Sequence, residues 1–522
     1  MSSSAGVSTA FVDLATFDEL AAFLYGGSEA LTYFVLAVKK SNWFSHLPGQ
    51  LRHVSGTPNF GNEFSASLNR SGDYILSLWF QAQIPQLTLN NITGIAGGIF
   101  NDAAIRFCRN FMHNLVERVT LTFNDLTVEE LDSSWFDIYK AFQVPEDKQV
   151  GYNNMIADIP SYFSWLNVAD LDALGGLPYN VALGDGGFHA LVVPFWFFMD
   201  TGVALMIAGI PFNDVKANFT LRPIESLVLL EAGSGAVGLG TVAAQYTDLR
   251  VANVNTAGTG LVTGIVTAGS ATISLINPQT WATYAVVHND ERVKMGKAPR
   301  DVLIQQVQRV SDRDFDATSG AVTQVDLRLS HQIIALFWMA ALNYHPASHS
   351  EYATNPFYAV NYIITVNAIA ASLIDAGVDP IDRTELVYEN TIRVAQPSLY
   401  YSIIDPFFFS VRIPDETGYH MKSYSLTTFE YQPKGSTGFS KLANVSLNHT
   451  VSIGATRAAA GTARSISVAD NGFGTGAILV SPTNTLLNVV GTPGQMNWRL
   501  QHRALNWNIG RMAGGSFGLP VL

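Results

Sequence analysis

Ile75-Leu76-Ser77-Leu78-Trp79-Phe80-Gln81-Ala82 returns in kind as Ile333-Ile334-Ala335-Leu336-Phe337-Trp338-Met339-Ala340. A second pair, Pro194-Phe195-Trp196-Phe197-Phe198 and Pro406-Phe407-Phe408-Phe409, follows in the same order in each half. Short runs of β-branched and aromatic residues, bounded by Gly, Pro, Asn and Asp, suit a pleated and largely buried surface. The ordered echo predicts two β-rich domains of one kind.

Further strand blocks lie around this echo. In the first half they fall at 64–68, 74–84, 119–123, 190–198 and 217–221; in the second at 303–307, 324–329, 358–366, 386–394, 407–413 and 423–428. Two helices are expected among them. Thr16 with Glu19 makes a capping box, Phe17, Leu20, Ala21 and Leu24 form a stripe, and Gly26-Gly27 supplies the stop. This amphipathic arm must dock on something, either its own domain or a neighbouring layer. A second helix is predicted from Thr127, where Glu130 completes a capping box and Val128, Leu131, Trp135, Ile138 and Phe142 form a stripe ended by Pro145. The pattern is all-β with short helical inserts.

A chain of 522 residues exceeds one ordinary core and predicts two or three domains. With 48% hydrophobic and only 14% charged residues, much of its surface is expected to face other protein. The net charge of −12 argues against direct nucleic-acid binding, which needs clustered Lys and Arg, and disfavours an anionic membrane face. Cys108 is the only cysteine, so no intramolecular disulfide forms, which suits a reducing compartment. Met1-Ser2-Ser3-Ser4-Ala5-Gly6 lacks the basic start and apolar core of a secretory signal. The stretch 191–212 is long enough to cross a bilayer but carries Pro194, Asp200, Gly202 and Pro211, so it reads as two strands around an Asp-Thr-Gly turn.

The segments 231–283 and 452–476 are rich in Gly, Ala and Thr, and the second reads as a long surface loop or hairpin. A domain boundary is predicted within 223–235.

Chemical motifs lack their required context. Gly233-Ser234-Gly235-Ala236-Val237-Gly238 has the spacing of a dinucleotide loop, yet no helix pattern opens at its end and only Asp248 lies near the position of the ribose-binding acid. Gly514-Gly515-Ser516-Phe517-Gly518 resembles a nucleophile elbow, but a triad Asp and His must follow it, and four residues remain; it reads as a Gly-rich turn. His345 and His349 are separated by Pro346, which spoils a helical ligand pair, and Asp312, Asp314 and Asp316 lack the Gly and terminal Glu of a calcium loop. Asn69, Asn91, Asn218, Asn444 and Asn448 begin N-x-Ser/Thr sequons, read as unmodified without a signal peptide. No catalytic, cofactor-binding or metal-ligating residue is expected.

The blocks Phe60-Gly61-Asn62-Glu63-Phe64, Arg70-Ser71-Gly72-Asp73-Tyr74, Val192-Val193-Pro194-Phe195-Trp196-Phe197-Phe198 and Ile210-Pro211-Phe212-Asn213 carry a resemblance. So do Leu24-Tyr25-Gly26-Gly27, Asn110-Phe111-Met112-His113-Asn114, Gly151-Tyr152-Asn153-Asn154-Met155-Ile156, Leu386-Val387-Tyr388-Glu389-Asn390-Thr391, Gly435-Ser436-Thr437 and Gly518-Leu519-Pro520. Across nearly its whole length the sequence resembles the major capsid proteins of nucleocytoplasmic large DNA viruses, of the iridovirus and marseillevirus type. The resemblance implies two tandem jelly-roll β-sandwiches: an arm at 1–30, a first jelly roll at 31–228, a second at 229–494 with long loops, and a segment 495–522 completing the second. It implies a homotrimer forming a pseudo-hexagonal capsomer, tiled with neighbouring capsomers into an icosahedral shell above an internal membrane. Minor capsid proteins, a penton and an inner membrane-associated layer are the implied partners, the virion the implied location, and the host cytoplasm the implied place of assembly. The segments 231–283 and 452–476 match no family pattern.

The rival from another class is a carbohydrate-active β-sandwich enzyme or lectin, since aromatic β surfaces stack sugars. Asp200, Glu225 and Glu231 cannot be paired from sequence; two carboxylates across a cleft at about 5 or about 9 Å would mark such an enzyme. A minor vertex capsid protein would need only one jelly roll, and the duplication speaks against it.

Overall fold

The computed structural model describes residues 11–12, 14–25, 34–36, 38, 40–85, 87–91, 104–159, 162, 166–167, 180–183, 187–231, 263–267, 273–297, 299–318, 320–343, 348–354, 379–459, 466–467, 477–478 and 498–520. It divides into a unit of 1–43 and a unit of 44–522.

In the larger unit the first eight principal strands are β1 (Phe44–Gln50), β2 (Glu63–Ser67), β3 (Tyr74–Gln83), β4 (Val116–Phe123), β5 (Leu126–Asp132), β6 (Phe188–Val193), β7 (Val215–Leu221) and β8 (Ile276–Val287). They form two antiparallel sheets, β1-β8-β3-β6 and β2-β7-β4-β5, the latter extended at its edge by Arg52–Ser55. The next eight are β9 (Arg300–Phe315), β10 (Val322–Asp326), β11 (Gln332–Leu342), β12 (Ile381–Tyr388), β13 (Thr391–Pro397), β14 (His420–Ser423), β15 (Val445–Val451) and β16 (Trp498–Ala513). Their sheets run β9-β16-β11-β14 and β10-β15-β12-β13, the first order with every label raised by eight. Each half is thus a jelly roll, and the chain is a double jelly roll.

The first aromatic echo falls on β3 and β11, the same strand of each roll. Cores close between the paired sheets. Phe80 of β3 packs on Phe64 of β2 and Phe219 of β7 at ring distances of 5.6 and 5.8 Å, and Phe64 stacks on Phe219 at 4.9 Å. At the corresponding place Trp338 of β11 lies 6.0 Å from His449 of β15.

Strand direction fixes where the insertions go. Because β3 pairs antiparallel with β8 and β6, its end adjoins their starts, so the connections β3–β4, β5–β6 and β7–β8 leave from one end of the roll. Pieces of them pair with one another: Asn180–Leu183, Leu87–Asn91 and Thr263–Thr267 form one sheet, and Val228–Glu231, Ala104–Phe107 and Leu166–Asn167 another. In the second roll β11 likewise pairs antiparallel with β16 and β14.

Several expectations are corrected. The boundary at 228/229 is wrong, because β8 at Ile276–Val287 lies between β1 and β3 inside the first roll; the change of roll falls at the helix Asn289–Lys297. Of the Gly/Ala/Thr-rich stretch 231–283, the structure describes 231, 263–267 and 273–283, the last of these entering β8. Residues from Thr127 do not start a helix. Asn124 and Asp125 adopt φ of +48° and +67°, turning the chain into a hairpin, so 126–132 pairs with β4 and the helix, α1, spans Ser133–Phe142. The block 386–394 also hides a hairpin, turned at Glu389 and Asn390 with φ of +47° and +63°. Both rolls thus join their fourth and fifth strands through two left-handed residues.

The second aromatic echo fails. Strand β6 ends at Val193 and Trp196–Met199 is one helical turn, while Asp405–Phe409 is a helix, not part of a 407–413 strand. The first turn follows β6, whereas the second precedes β14, so the two are not equivalent. Phe195, Trp196 and Phe197 are buried as expected, though not in a strand, and Phe198 is half-buried. The stretch 191–212 contains one strand and short turns instead of two strands, and among the described residues no helix is long and apolar enough to cross a membrane. Residues 358–366 lie outside the described residues. The N-terminal helix spans Glu19–Tyr25 with Asp18, rather than Thr16, accepting the Ala21 N–H at 2.7 Å; Gly26 and Gly27 lie outside the described residues.

Candidate functional site

The seam between the rolls carries a network of buried polar groups. Helix α1 opens the β5–β6 connection and packs on β11, with Trp135 and Phe142 at 5.6 and 5.4 Å from the Phe337 ring. Asp132 caps α1 by accepting the Trp135 N–H at 3.0 Å. The same carboxylate takes the Nε of Arg503, on β16, at 3.1 and 3.0 Å. Burial alone would raise the Asp132 carboxyl, but the Arg503 charge outweighs it and lowers it. One carboxylate therefore caps a helix of the first roll and pins the central strand of the second.

Asp137, one turn along α1, is a hub. Its Oδ1 accepts from Asn110 Nδ2 at 2.9 Å and lies 2.8 Å from His113 Nδ1; its Oδ2 accepts from Ser350 and Tyr352 hydroxyls at 2.5 and 2.7 Å. Asn110 and His113 belong to the β3–β4 connection, and Ser350 and Tyr352 to the corresponding connection of the second roll. Burial lowers the His113 pKa despite Asp137 beside it. Asp158 is a third anchor, taking Arg109 Nε at 2.9 Å and Lys140 Nζ at 2.6 Å. Burial would raise its carboxyl, yet Arg109 and Lys140 hold it well below the usual range. Arg109 also reaches Glu416 of the second roll at 2.6 Å. Buried charges satisfied this fully specify one arrangement of partners.

The C-terminal hairpin adds an apolar clasp. Gly514 and Gly515, at φ of +60° and +81°, turn β16 into Ser516–Gly518, and Phe517 stacks on Phe123 of the first roll at 4.4 Å. A Cβ on Gly515 would meet the Phe212 ring at 2.7 Å. The GxSxG spelling is a turn, with Ser516 exposed.

A cluster in the second roll superficially suggests nucleophile chemistry. Ser398 Oγ and Asp379 Oδ2 both lie 2.6 Å from His420 Nε2. A triad needs the acid and the hydroxyl on opposite ring nitrogens; here His420 Nδ1 faces the Trp338 carbonyl at 3.2 Å. Next to it, His449 Nε2 and His502 Nε2 meet at 2.9 Å, with His449 Nδ1 on the Thr384 hydroxyl at 3.0 Å. Sequence reading missed these groups because their members come from four strands and two connections.

The remaining sequence candidates do not converge. Gly233–Gly238 and His345 lie outside the described residues. Asp312, Asp314 and Asp316 lie on or just after β9, not on a calcium loop: Asp312 pairs with Arg309 at 3.0 Å, Asp314 with Arg499 at 3.6 Å, and Asp316 accepts the Thr318 N–H at 2.9 Å. Among the described residues no group of three or more His, Cys, Asp or Glu is placed to hold a metal ion. Asp200 accepts the Gly202 N–H at 2.6 Å within its own turn, and Glu225 sits in the short turn Ile224–Ser226. The side chain of Glu231 lies outside the described residues. Of the sequons, Asn69 and Asn444 are exposed, while Asn218 and Asn448 lie half-buried on β7 and β15.

Solved viral structures share this architecture. The PBCV-1 VP54 crystal structure, as fitted into a reconstruction of the virophage Sputnik, matches with a TM-score of 0.59 at 18% identity, covering 94% of this chain and 100% of that one. The Faustovirus major capsid protein matches with a TM-score of 0.59 at 12% identity, covering 96% of each. These likenesses define the class by fold: the double jelly roll of viral major capsid proteins. In sequence, the family profile described as "Large eukaryotic DNA virus major capsid protein" matches residues 291–494, and "Major capsid protein N-terminus" matches 32–259. The major capsid protein of Costelytra zealandica iridescent virus is 36% identical over 522 residues, covering 100% of this chain and 99% of that protein. The chain belongs to the major capsid proteins of large eukaryotic DNA viruses, a family that includes those of iridescent viruses. Its role is structural, in the capsid of a virion, and it is not an enzyme; the carbohydrate-active alternative is set aside.

Proposed function

We propose that three copies of the chain associate into a pseudo-hexagonal capsomer, and that capsomers tile an icosahedral shell assembled in the host cytoplasm. The observation that carries this reading is the repeated strand order. Two rolls of one topology, joined by Asp132–Arg503, Asp137–Ser350 and Arg109–Glu416, give each chain two similar wedges, and a threefold axis makes six. The long connections leave each roll at one end, and those of the two rolls touch at Ser350–Asp137 and Ser410–Phe142, which supports a shared crown of loops.

The exposed apolar side chains supply association surface. Leu399, Phe407 and Phe408, around the helix Asp405–Phe409, are 60%, 67% and 65% exposed. In the N-terminal unit Phe17, Leu20, Phe23 and Leu24 are exposed too. The arm is the element proposed to meet the inner membrane-associated layer, with minor capsid proteins and a penton as further partners and no direct nucleic-acid contact. Light scattering on purified protein is expected to give the mass of three chains, and deletion of 1–30 to impair shell attachment more than trimer formation. A monomer persisting at micromolar concentration would overturn the reading.

A further inference from the structure

Beside its packed contacts, the seam holds an open polar cavity of about 320 Å³. Ser133, Ser134 and Arg222 line it from the first roll, and Arg309, Arg499 and Arg503 from the second. Two of its three acids are already engaged. Asp132 is held by Arg503, and Asp312 lies 3.0 Å from Arg309 and 3.6 Å from Arg503. The third, Glu117, is exposed.

Arg222 stands apart. Its guanidinium donates to the Asn114 carbonyl at 2.7 Å and the Ser133 hydroxyl at 3.0 Å, both neutral, and no carboxylate among the described residues forms an ion pair with it. Burial lowers its pKa from the ordinary value, and the field of Glu117 offsets this only in part. A half-buried cation whose hydrogen-bond partners are neutral is better satisfied when something anionic joins it. The cavity also receives the start of α1, where Asp132 already caps the Trp135 N–H and the hydroxyls of Ser133 and Ser134 line the wall. Arg499, about half exposed and 3.6 Å from the exposed Asp314, bounds the cavity from the second roll.

We propose that this cavity is a binding site for a tetrahedral oxyanion of the phosphate class, held by Arg222 and the start of α1 from one roll and by Arg499 from the other. Donors drawn from two rolls and a helix end suit a tetrahedral anion better than a planar carboxylate, which one guanidinium satisfies in a fork. The volume is several times the roughly 30 Å³ share of one water, leaving room for hydration or a small ester substituent. Because the donors straddle the seam, occupancy ties the rolls together.

The test uses the purified full-length protein, titrated with sodium phosphate and separately with glycerol 3-phosphate, each against sodium chloride at matched ionic strength. Heat of binding and thermal midpoint are read. Saturable binding with a rising midpoint is expected, weakened about tenfold or more in Arg222→Gln and in Arg499→Gln, and unchanged in Arg393→Gln, outside the cavity wall. Arg499→Gln alters a half-exposed side chain, so it keeps the result readable if Arg222→Gln fails to fold. Response to both ligands assigns a site open to monoesters; response to phosphate alone assigns one for the free ion. No saturable response beyond chloride, or full affinity retained in Arg499→Gln, overturns the proposal.

Discussion

Strands β3 and β11 occupy the same place in their rolls, yet they are buried differently. Along β3 burial alternates: Ile75, Leu78, Phe80 and Ala82 are buried, while Ser77, Trp79 and Gln81 are half-buried. Along β11 every residue from Ile333 to Ala340 is buried. The inward positions correspond, Phe80 pairing with Thr280 and Leu191 where Trp338 pairs with His502 and His420. The outward positions differ because α1 of the first roll lies over β11, so Phe337 meets Trp135 of that helix where Trp79 stacks on Trp281 of its own sheet at 6.3 Å and donates to Gln81 at 3.3 Å. A jelly roll needs one apolar face; a strand at the seam needs two. The continuous apolar run in one echo and the alternating run in the other thus record which roll is covered by its neighbour.

The largest effect is expected at the seam's ion pair. Asp132→Ala strands Arg503 and uncaps α1, and is expected to lower stability by about 3–5 kcal/mol, read from denaturant midpoints; a double change with Arg503→Met should recover part of the loss. An Asp132→Ala protein as stable as wild type would mean that the rolls do not depend on one another.

The strands themselves come next. Phe337→Ala should cost about 3–5 kcal/mol as a buried aromatic, and Trp79→Ala about 1 kcal/mol, chiefly its stacking. Equal losses would erase the difference between the covered and uncovered faces.

Acid should separate the rolls. Burial, with the charges of His502 and His420, holds His449 well below its ordinary 6.5, and burial with Arg503 pulls His502 down to about 3. Below pH 6.5 the unfolded chain binds protons that these folded rings refuse, so their contribution is intact above pH 6.5 and is lost as pH falls toward about 3. The corresponding position of His502 in the first roll is Thr280, which does not titrate; the half-buried His53 beside it at 3.2 Å is lowered by burial too, but it is a single ring on the edge strand. Hydrogen exchange across this range is therefore expected to show β15 and β16 opening before β7 and β8; simultaneous opening would count against a weaker second roll.

The smallest effect on the chain itself is expected at the failed echo. Phe408→Ser, on an exposed side chain, should change monomer stability by less than about 0.5 kcal/mol while reducing trimer mass in light scattering. Loss of folding would show that the Asp405–Phe409 helix is core, like Phe195–Phe197.

Much of the fold was legible locally. The β3/β11 echo identified the duplicated unit, and the family blocks named the architecture because they are spread along the whole chain. The errors cluster where a local signal had two readings. Thr127-x-x-Glu130 spells a capping box, but the left-handed pair Asn124-Asp125 just before it makes a hairpin, and pairing with β4 outweighs helix propensity. Pro-aromatic runs spell strands, yet both proved to be helical turns, one buried and one exposed.

Composition and alternation by themselves determined that this chain builds paired β-sheets with aromatic cores, since a period of two and β-branched runs act on neighbouring residues. Only the tertiary structure decided that Ile276–Val287 returns to the first roll, that Asp137 joins four donors from two rolls, and that Arg222 lines a cavity with neutral hydrogen-bond acceptors among the described residues. Those outcomes depend on groups separated by up to hundreds of residues, brought together by sheet pairing and desolvated together, and no local pattern encodes which distant partner will arrive.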